Sequence, residues 1–370
     1  MDTLRTDVLV VGAGPIGLEL GVALKQADIE YLHVEARQIA YTISWFAPQT
    51  RFFSSNERIA IAGVPLQTAD QFKATREEYL AYLRGVVEQF DLEVQTYEPV
   101  VAIHRNEHEF LVTTQPAGRR RRYRARRIVL CTGGTGRPRR LNIPGEDLPH
   151  VSHYFTDPHT YFRKRLLIVG GKNSAVETAL RCHHAGARVS VSYRGDKLDP
   201  KSVKYWLLPE INGLIEEGKI AAYFKTVLVE ITPSTVVLKG SGFGVQGSED
   251  RQTTSSLNPE PRTPNPPLEP RTLNHPFDFV LFQIGYEQDT TLFQRAGVEL
   301  TGPCRAPVHD ERTMETNIPG IYVAGTAVGG TQERYRLFIE NCHVHVGRIV
   351  AALTGSTPPA TPVAPAAPET

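Results

Sequence analysis

The stretch Val8-Leu9-Val10-Val11-Gly12-Ala13-Gly14-Pro15-Ile16-Gly17 decides the fold. The β-rich run Thr6 to Val11 turns through G-x-G-x-x-G into a helical pattern from about Leu18 to Ala27. A second strand, Tyr31 to Glu35, then ends in an acid. Strand, glycine turn, helix and strand within about 30 residues make one βαβ unit. Gly12 permits the tight turn, Gly14 lets the backbone approach a pyrophosphate, and Gly17 lets the helix pack close to the strand. The phosphates then meet the positive end of the helix dipole. Glu35 is placed to accept hydrogen bonds from ribose hydroxyls, which disfavours a 2′-phosphate there. FAD or NAD is expected in this turn, with Pro15, Ile16 and Ala36 counted among the binding residues.

The same arrangement returns downstream. Strand Arg165–Val169 leads into Gly170-Gly171-Lys172-Asn173-Ser174-Ala175, a helix from about Val176 to Ala185 and a strand Arg188–Tyr193. Lys172 stands where the pattern wants its second glycine; it can serve if its side chain points away from the pyrophosphate or neutralises it. The acid expected after the next strand is absent. Tyr193-Arg194 takes the place, with Lys197 close by, and cations there suit a 2′-phosphate, so NADPH is favoured over NADH. The bland reading of Arg194 is a solvated loop charge. Two such units indicate a duplicated, Rossmann-like α/β architecture rather than a short-period repeat.

Two further signals join the units. Ile128-Val129-Leu130-Cys131-Thr132-Gly133-Gly134 is a strand ending in a crossover. Gly320-Ile321-Tyr322-Val323-Ala324-Gly325 is a strand ending in a turn that continues through Thr326 to a helix expected over Phe338–Leu353. The helix start near Phe338-Ile339-Glu340-Asn341 could aim N–H groups at a flavin; the plain alternative is an ordinary closing strand and helix. The expected architecture is an FAD domain (three-layer, ββα) of residues 1–149 and 289–356, interrupted by an NADPH domain at 150–288. A flexible insertion is expected at 240–276 and a disordered tail at 357–370, both from their Pro-, Gly- and Ser-rich composition. The basic run Arg119 to Arg127 reads as an exposed hairpin and edge strand rather than a nucleic-acid site.

Composition narrows the class. At 370 residues the chain exceeds one comfortable core, and 41% hydrophobic with 22% charged residues is ordinary for a folded protein. A formal charge of +1 gives no global reason to expect nucleic acid or an anionic membrane. No apolar run approaches the roughly 20 residues that span a bilayer, and the N-terminus does not read as a signal peptide, so a cytoplasmic protein is expected. The four cysteines, Cys131, Cys182, Cys304 and Cys342, form no C-x-x-C pair, and no metal site is expected. Cys342 is the single thiol worth weighing as catalytic, because a helix start could lower its pKa.

These residues resemble the thioredoxin-reductase-like flavoproteins with two dinucleotide-binding domains, and more specifically the bacillithiol disulfide reductase (YpdA-type) family. The likeness rests on Arg51-Phe52-Phe53-Ser54-Ser55-Asn56-Glu57 with Gly63-Val64-Pro65, on Gly170 to Glu177, and on Phe338 to Asn341. It implies FAD and NADPH, with hydride passing from nicotinamide to flavin and on to a low-molecular-weight disulfide. Gly12, Gly14, Gly17, Glu35, Thr132, Gly133, Gly134, Gly325 and Thr326 would then hold FAD. Gly170, Lys172, Asn173, Ser174, Ala175, Tyr193 and Arg194 would hold NADPH, and Phe338 to Asn341 would lie near the flavin. Two departures stand out. Thr326 replaces the aspartate that many relatives carry, and Ile16 replaces the glycine-turn cysteine proposed to attack the disulfide. Isoleucine offers no thiolate. The leading expectation is therefore an NADPH-dependent FAD oxidoreductase acting on a disulfide or other small acceptor, forming a homo-oligomer. The rivals are an NADPH:ferredoxin or quinone reductase, a flavin monooxygenase and a non-catalytic flavin redox sensor.

Overall fold

The computed structural model describes residues 3–240, 271–332 and 336–359. From the N-terminus come β1 (Thr3–Val11), α1 (Pro15–Gln26), β2 (Tyr31–Val34), α2 (Arg76–Gln89), β3 (Val94–Gln95), β4 (Val100–Arg105), β5 (Phe110–Thr114) and β6 (Arg121–Leu130). There follow β7 (Val151–Ser152), β8 (Arg165–Val169), α3 (Asn173–His184), β9 (Arg188–Tyr193), α4 (Leu208–Glu216), β10 (Ala221–Phe224), β11 (Thr226–Ile231), β12 (Thr235–Gly240), β13 (Arg271–Pro276) and β14 (Phe279–Phe282). Last come β15 (Ile321–Val323) and α5 (His343–Thr354).

The chain divides into two compact units, Met1–Arg137 with Tyr286–Glu369, and Pro138–Gly285. The breaks fall earlier than the expected 149/150 and 288/289. Segment 141–146 belongs to the second unit because Ile231 N–H donates to Pro144 O (2.9 Å) and the Glu146 carboxylate accepts from the Leu141 and Asn142 amides (3.0 and 2.6 Å).

The first unit is built on the sheet β3-β2-β1-β6-β5-β4, with β15 paired to β6. β1, β2, β3, β6 and β15 run parallel, and β4 and β5 form an antiparallel meander. Alternation along β1 explains why both faces are covered. Val8 and Val10 pack with Leu20 and Leu24 of α1 and Val346 and Ile349 of α5. Leu9 and Val11 pack on the other side with Val112, Tyr123 and Phe293. Each such fully buried aliphatic side chain contributes about 1.5–3 kcal/mol. Pro15 at the first turn presets the backbone of α1. Thr75 and Glu78 close a capping box on α2, whose Tyr79, Leu83 and Val86 are buried.

The second unit is a five-stranded parallel sheet, β10-β9-β8-β14-β7, with an antiparallel three-stranded sheet, β11-β12-β13. Helices α3 and α4 pack on it through Val176, Leu180, Ile211 and Ile215.

Three expectations are corrected. The basic run does close a hairpin with β5, but from Arg121 onward it is an interior and not an edge strand, since β6 is paired to β1 on one side and to β5 and β15 on the other. Its arginines are tolerated there because acids neutralise them: Arg121 with Glu98 (2.8 Å), Arg124 with Glu109 (2.9 Å) and Arg127 with Asp7 (2.7 Å). The insertion is narrower than 240–276: Gly240 ends β12, and Arg271–Pro276 pairs with it, Leu273 opposite Leu238 in a local core. Residues 241–270 lie outside the described residues, as do 360–370 of the tail; Pro359 packs against Gly347 of α5. Finally, Phe338–Leu353 is not one helix. A 3₁₀ turn, Ile339–Asn341, precedes α5, which begins at His343.

Candidate functional site

In the first unit the turn after β1 is shaped by what its glycines lack. Gly12 has φ +106°, its N–H donates to Val34 O (2.9 Å), and a Cβ there would stand 2.5 Å from Cys131 O. A Cβ on Gly17 would lie 2.0 Å from Gly12 O, so helix and strand can meet only at glycine. Gly14 differs: nothing stands within 4 Å of its missing Cβ. That open face lies at the start of α1, where no side chain caps the first-turn amides. It is the cradle that a pyrophosphate fits.

Around it stand the other first-unit residues. Glu35 follows β2, accepting from Ala13 N–H (2.7 Å) and Arg37 N–H (2.8 Å), so its carboxylate is fastened to the cradle; Ala36 behind it is exposed. The Thr132 hydroxyl is buried with no protein partner among the described residues, an orphan that a ligand's polar group would satisfy. Gly133 has φ +75°, and Gly134 N–H donates to Thr326 Oγ1 (2.9 Å), bridging the turns after β6 and β15. The threonine thus accepts one backbone N–H and keeps its O–H and a second lone pair to offer. Gly325 has φ +73° and donates its N–H to His345 Nδ1 (3.2 Å); burial, with nearby Arg348, lowers the His345 pKa to about 4, so the ring is neutral. Ile16 is buried, 3.4 Å from where a Gly325 Cβ would stand.

Two polar groups here were missed by sequence reasoning. Gln288, 2% exposed, donates to Ala327 O (2.7 Å) and Gly133 O (3.3 Å), and its Oε1 is buried without a partner among the described residues. His33 donates to Gly12 O (2.9 Å), supporting the turn from behind; burial takes its pKa to about 4. Neither lies in a motif, and no spacing signal could have found them.

Segment 338–341 is knotted onto itself. Phe338 N–H donates to Asn341 Oδ1 (2.8 Å), and Asn341 Nδ2 donates to Arg336 O (2.6 Å). The Glu340 carboxylate is buried with Arg58 Nε 4.0 Å away. The expectation that a helix start lowers the Cys342 pKa is overturned. Cys342 is fully buried, and burial, helped by the Glu19 charge, pushes the thiol up to about 12. Cys131 and Cys182 are likewise pushed up to about 12 by burial.

The second unit repeats the cradle with different walls. Gly170 has φ +144°, and a Cβ there would stand 2.4 Å from Gln283 O. A Cβ on Gly171 would enter the Tyr193 ring at 2.4 Å, so that ring covers the turn. Lys172 is the exposed N-cap residue of α3, Ser174 is exposed in its first turn, and Ala175 is buried beneath Gly170. Asn173 does not face outward freely: its Oδ1 accepts the Lys204 N–H (2.8 Å). Arg194 and Lys197 are exposed on the loop after β9.

Among the described residues no His, Cys, Asp or Glu cluster could hold a metal ion, and no helix is long and apolar enough to cross a membrane.

Comparison with known proteins agrees with this geometry. Residues 9–252 match the family model described as pyridine nucleotide-disulphide oxidoreductase. Bacilliredoxin reductase Bdr of Bacillus subtilis is 32% identical over 95% of this chain and 98% of its own length. A ferredoxin–NADP reductase of Ignicoccus hospitalis is 26% identical over 86% of this chain and 89% of its own. The solved bacillithiol disulfide reductase Bdr (YpdA) from Bacillus cereus superposes with TM-score 0.82 at 32% identity, covering 95% of this chain and 99% of that one. The fold is thus the two-domain, thioredoxin-reductase-like one. The chain belongs to the pyridine nucleotide-disulphide oxidoreductase family and is an oxidoreductase that works with FAD and NADPH.

Proposed function

We propose that this protein oxidises NADPH and delivers the electrons through FAD to a small acceptor of the disulfide class, using no thiolate of its own. The first-unit cradle takes FAD, and the second takes NADPH. The reading is supported above all by the pair of glycine turns, each shaped so that only glycine fits at the strand–helix junction. Bound FAD would supply the two-electron relay between nicotinamide and acceptor. The residues supply position: Gly14 leaves room for pyrophosphate, Glu35 and Thr132 offer polar atoms to ribose and phosphate, and Ile16 seals the turn against Gly325. For a disulfide RSSR the balance is NADPH + H⁺ + RSSR → NADP⁺ + 2 RSH.

The acceptor step departs from a mixed-disulfide route. Ile16 replaces the attacking cysteine, and Cys131, Cys182 and Cys342 are buried with raised pKa values. The reading therefore has electrons leave the flavin directly; Cys304, the one partly exposed thiol, is tested by Cys304→Ser, which is expected to leave acceptor turnover unchanged. The same observation favours a second reading, transfer to a ferredoxin or quinone, in keeping with the similarity to a ferredoxin–NADP reductase.

Anaerobic mixing with NADPH tests the shared part: rapid bleaching of the flavin is expected, and its absence ends both readings. Reoxidation by bacillithiol disulfide and other disulfides then supports the first. Reoxidation only by ferredoxin or quinone supports the second.

A further inference from the structure

Three consecutive residues, His33, Val34 and Glu35, each take one polar group of the turn after β1. Gly12 N–H donates to Val34 O (2.9 Å), Gly12 O accepts from His33 Nε2 (2.9 Å), and Ala13 N–H donates to Glu35 Oε2 (2.7 Å). His33 and Glu35 are two residues apart, the spacing that puts side chains on one face of an extended run. The carbonyl of Gly12 and the amide of Ala13 belong to a single peptide group. These two side chains therefore grip that peptide at both ends.

The grip matters because the peptide follows Gly12, whose φ of +106° and missing side chain make it the least constrained kind of residue. Helix α1 closes over the same carbonyl: a Cβ on Gly17 would stand 2.0 Å from Gly12 O. A carbonyl so covered needs a donor, and the ring supplies one. His33 is 1% exposed, and burial lowers its pKa to about 4, so the ring carries one proton at neutral pH. Gly12 O can only accept, which places that proton on Nε2. Nδ1, buried with no partner among the described residues, is then a bare lone pair. An aliphatic side chain here would fill the core and offer the carbonyl nothing.

Resting on the reading of the first cradle as the FAD site, we propose that His33 is a positioning residue for FAD: its Nε2–H fixes the Gly12–Ala13 peptide, so the cradle holds its binding shape before the dinucleotide arrives. A turn fixed in advance binds without first having to be ordered, so the ring raises FAD affinity from behind the turn.

FAD is stripped from the protein and titrated back, with binding followed by flavin fluorescence well below the melting temperature. His33→Leu is expected to weaken FAD about tenfold, equivalent to about 1.4 kcal/mol. His33→Gln, whose amide nitrogen reaches the place of Nε2, restores most of the loss. His33→Asn, whose amide falls at the place of Nδ1, does not. A role confined to packing would make affinity follow stability, so the Tm of each flavin-free variant is measured beside its affinity. Nitrogen NMR is expected to find the His33 proton on Nε2 with and without FAD. Unchanged affinity in His33→Leu overturns the proposal, as does a loss that His33→Gln does not restore, or a proton on Nδ1. Should His33→Leu fail to fold, tighter binding by His33→Gln than by His33→Asn supports the proposal, and equal binding overturns it. Gly14→Val separates this outcome from the cradle reading. If Gly14→Val alone weakens FAD, only the role of His33 fails; if neither substitution does, the cradle is not the FAD site.

Discussion

The three glycines of the first turn look alike in the sequence, yet they do not share one reason. Gly17 and Gly12 are excluded from bearing a side chain by the protein itself, whereas nothing of the protein stands within 4 Å of a Cβ at Gly14, the space proposed for pyrophosphate. Gly17→Ala is therefore expected to destabilise the folded protein by roughly 3 kcal/mol, read as a lower denaturant midpoint with or without FAD. Gly14→Val should leave the midpoint of the flavin-free protein unchanged while lowering FAD affinity by about tenfold or more, read by flavin fluorescence on titration. Equal behaviour of the two variants would remove the distinction. Histidines bring a pH signature at the same scale. His33 and His345 are both lowered from 6.5 to about 4, chiefly by burial, so the unfolded chain binds more protons than the native one between those values. Their stabilisation is complete above pH 6.5 and lost as pH falls towards about 4, at about 1.4 kcal/mol per pKa unit for each ring. His343, raised by its bond to Glu19 against the effect of burial, contributes with the opposite sign. Melting temperature should drop steeply over that acid window, and His345→Asn should flatten the slope; an unchanged slope would count against the neutral-ring assignment.

Among the elements, β6 is the instructive one. Its even-spaced Tyr123 and Ala125 are buried while arginines alternate with them, a pattern that an edge strand and an interior strand share. Pairing to β1 on one side and to β5 and β15 on the other makes it interior, and Glu98, 2% exposed, takes hydrogen bonds there from Arg121, Thr114 (2.6 Å) and the Tyr123 hydroxyl. Removing the acid would leave three donors around a buried gap. Glu98→Ala is expected to cost about 3 kcal/mol in urea unfolding, and Arg121→Ala much less because that arginine is half exposed. Similar costs for the two would show that the carboxylate is not the centre of the cluster. The closing segment shows the same limit on local reading. Apolar spacing over 338–353 suggests one helix, but Asn341 bonds back to Phe338 and Arg336 and ends the turn before α5 starts. That competition between a side chain and the helical backbone is invisible to periodicity.

For the whole molecule, the question is what the long Pro- and Ser-rich stretch contributes. Gly240 and Arg271 are direct partners in the β12–β13 ladder, so their backbones already stand at hairpin distance. Replacing residues 241–270 by a two-residue Asn-Gly turn should keep the fold, the yellow colour and the rate of flavin reduction by NADPH. A colourless or aggregated product would show that the segment does more than connect two strands. The sequence by itself determined the two βαβ cradles and the discontinuous first domain, because glycine constraints and alternation act over a few neighbouring residues, while the pairing of FAD with NADPH came from the family resemblance of its motifs. Tertiary structure alone decided that the basic run is interior, that Cys342 is sealed, and that Gln288 and Glu98 meet distant backbone or side-chain groups. Burial and the partners of a buried group come from segments far apart in the chain, and no local spacing encodes them.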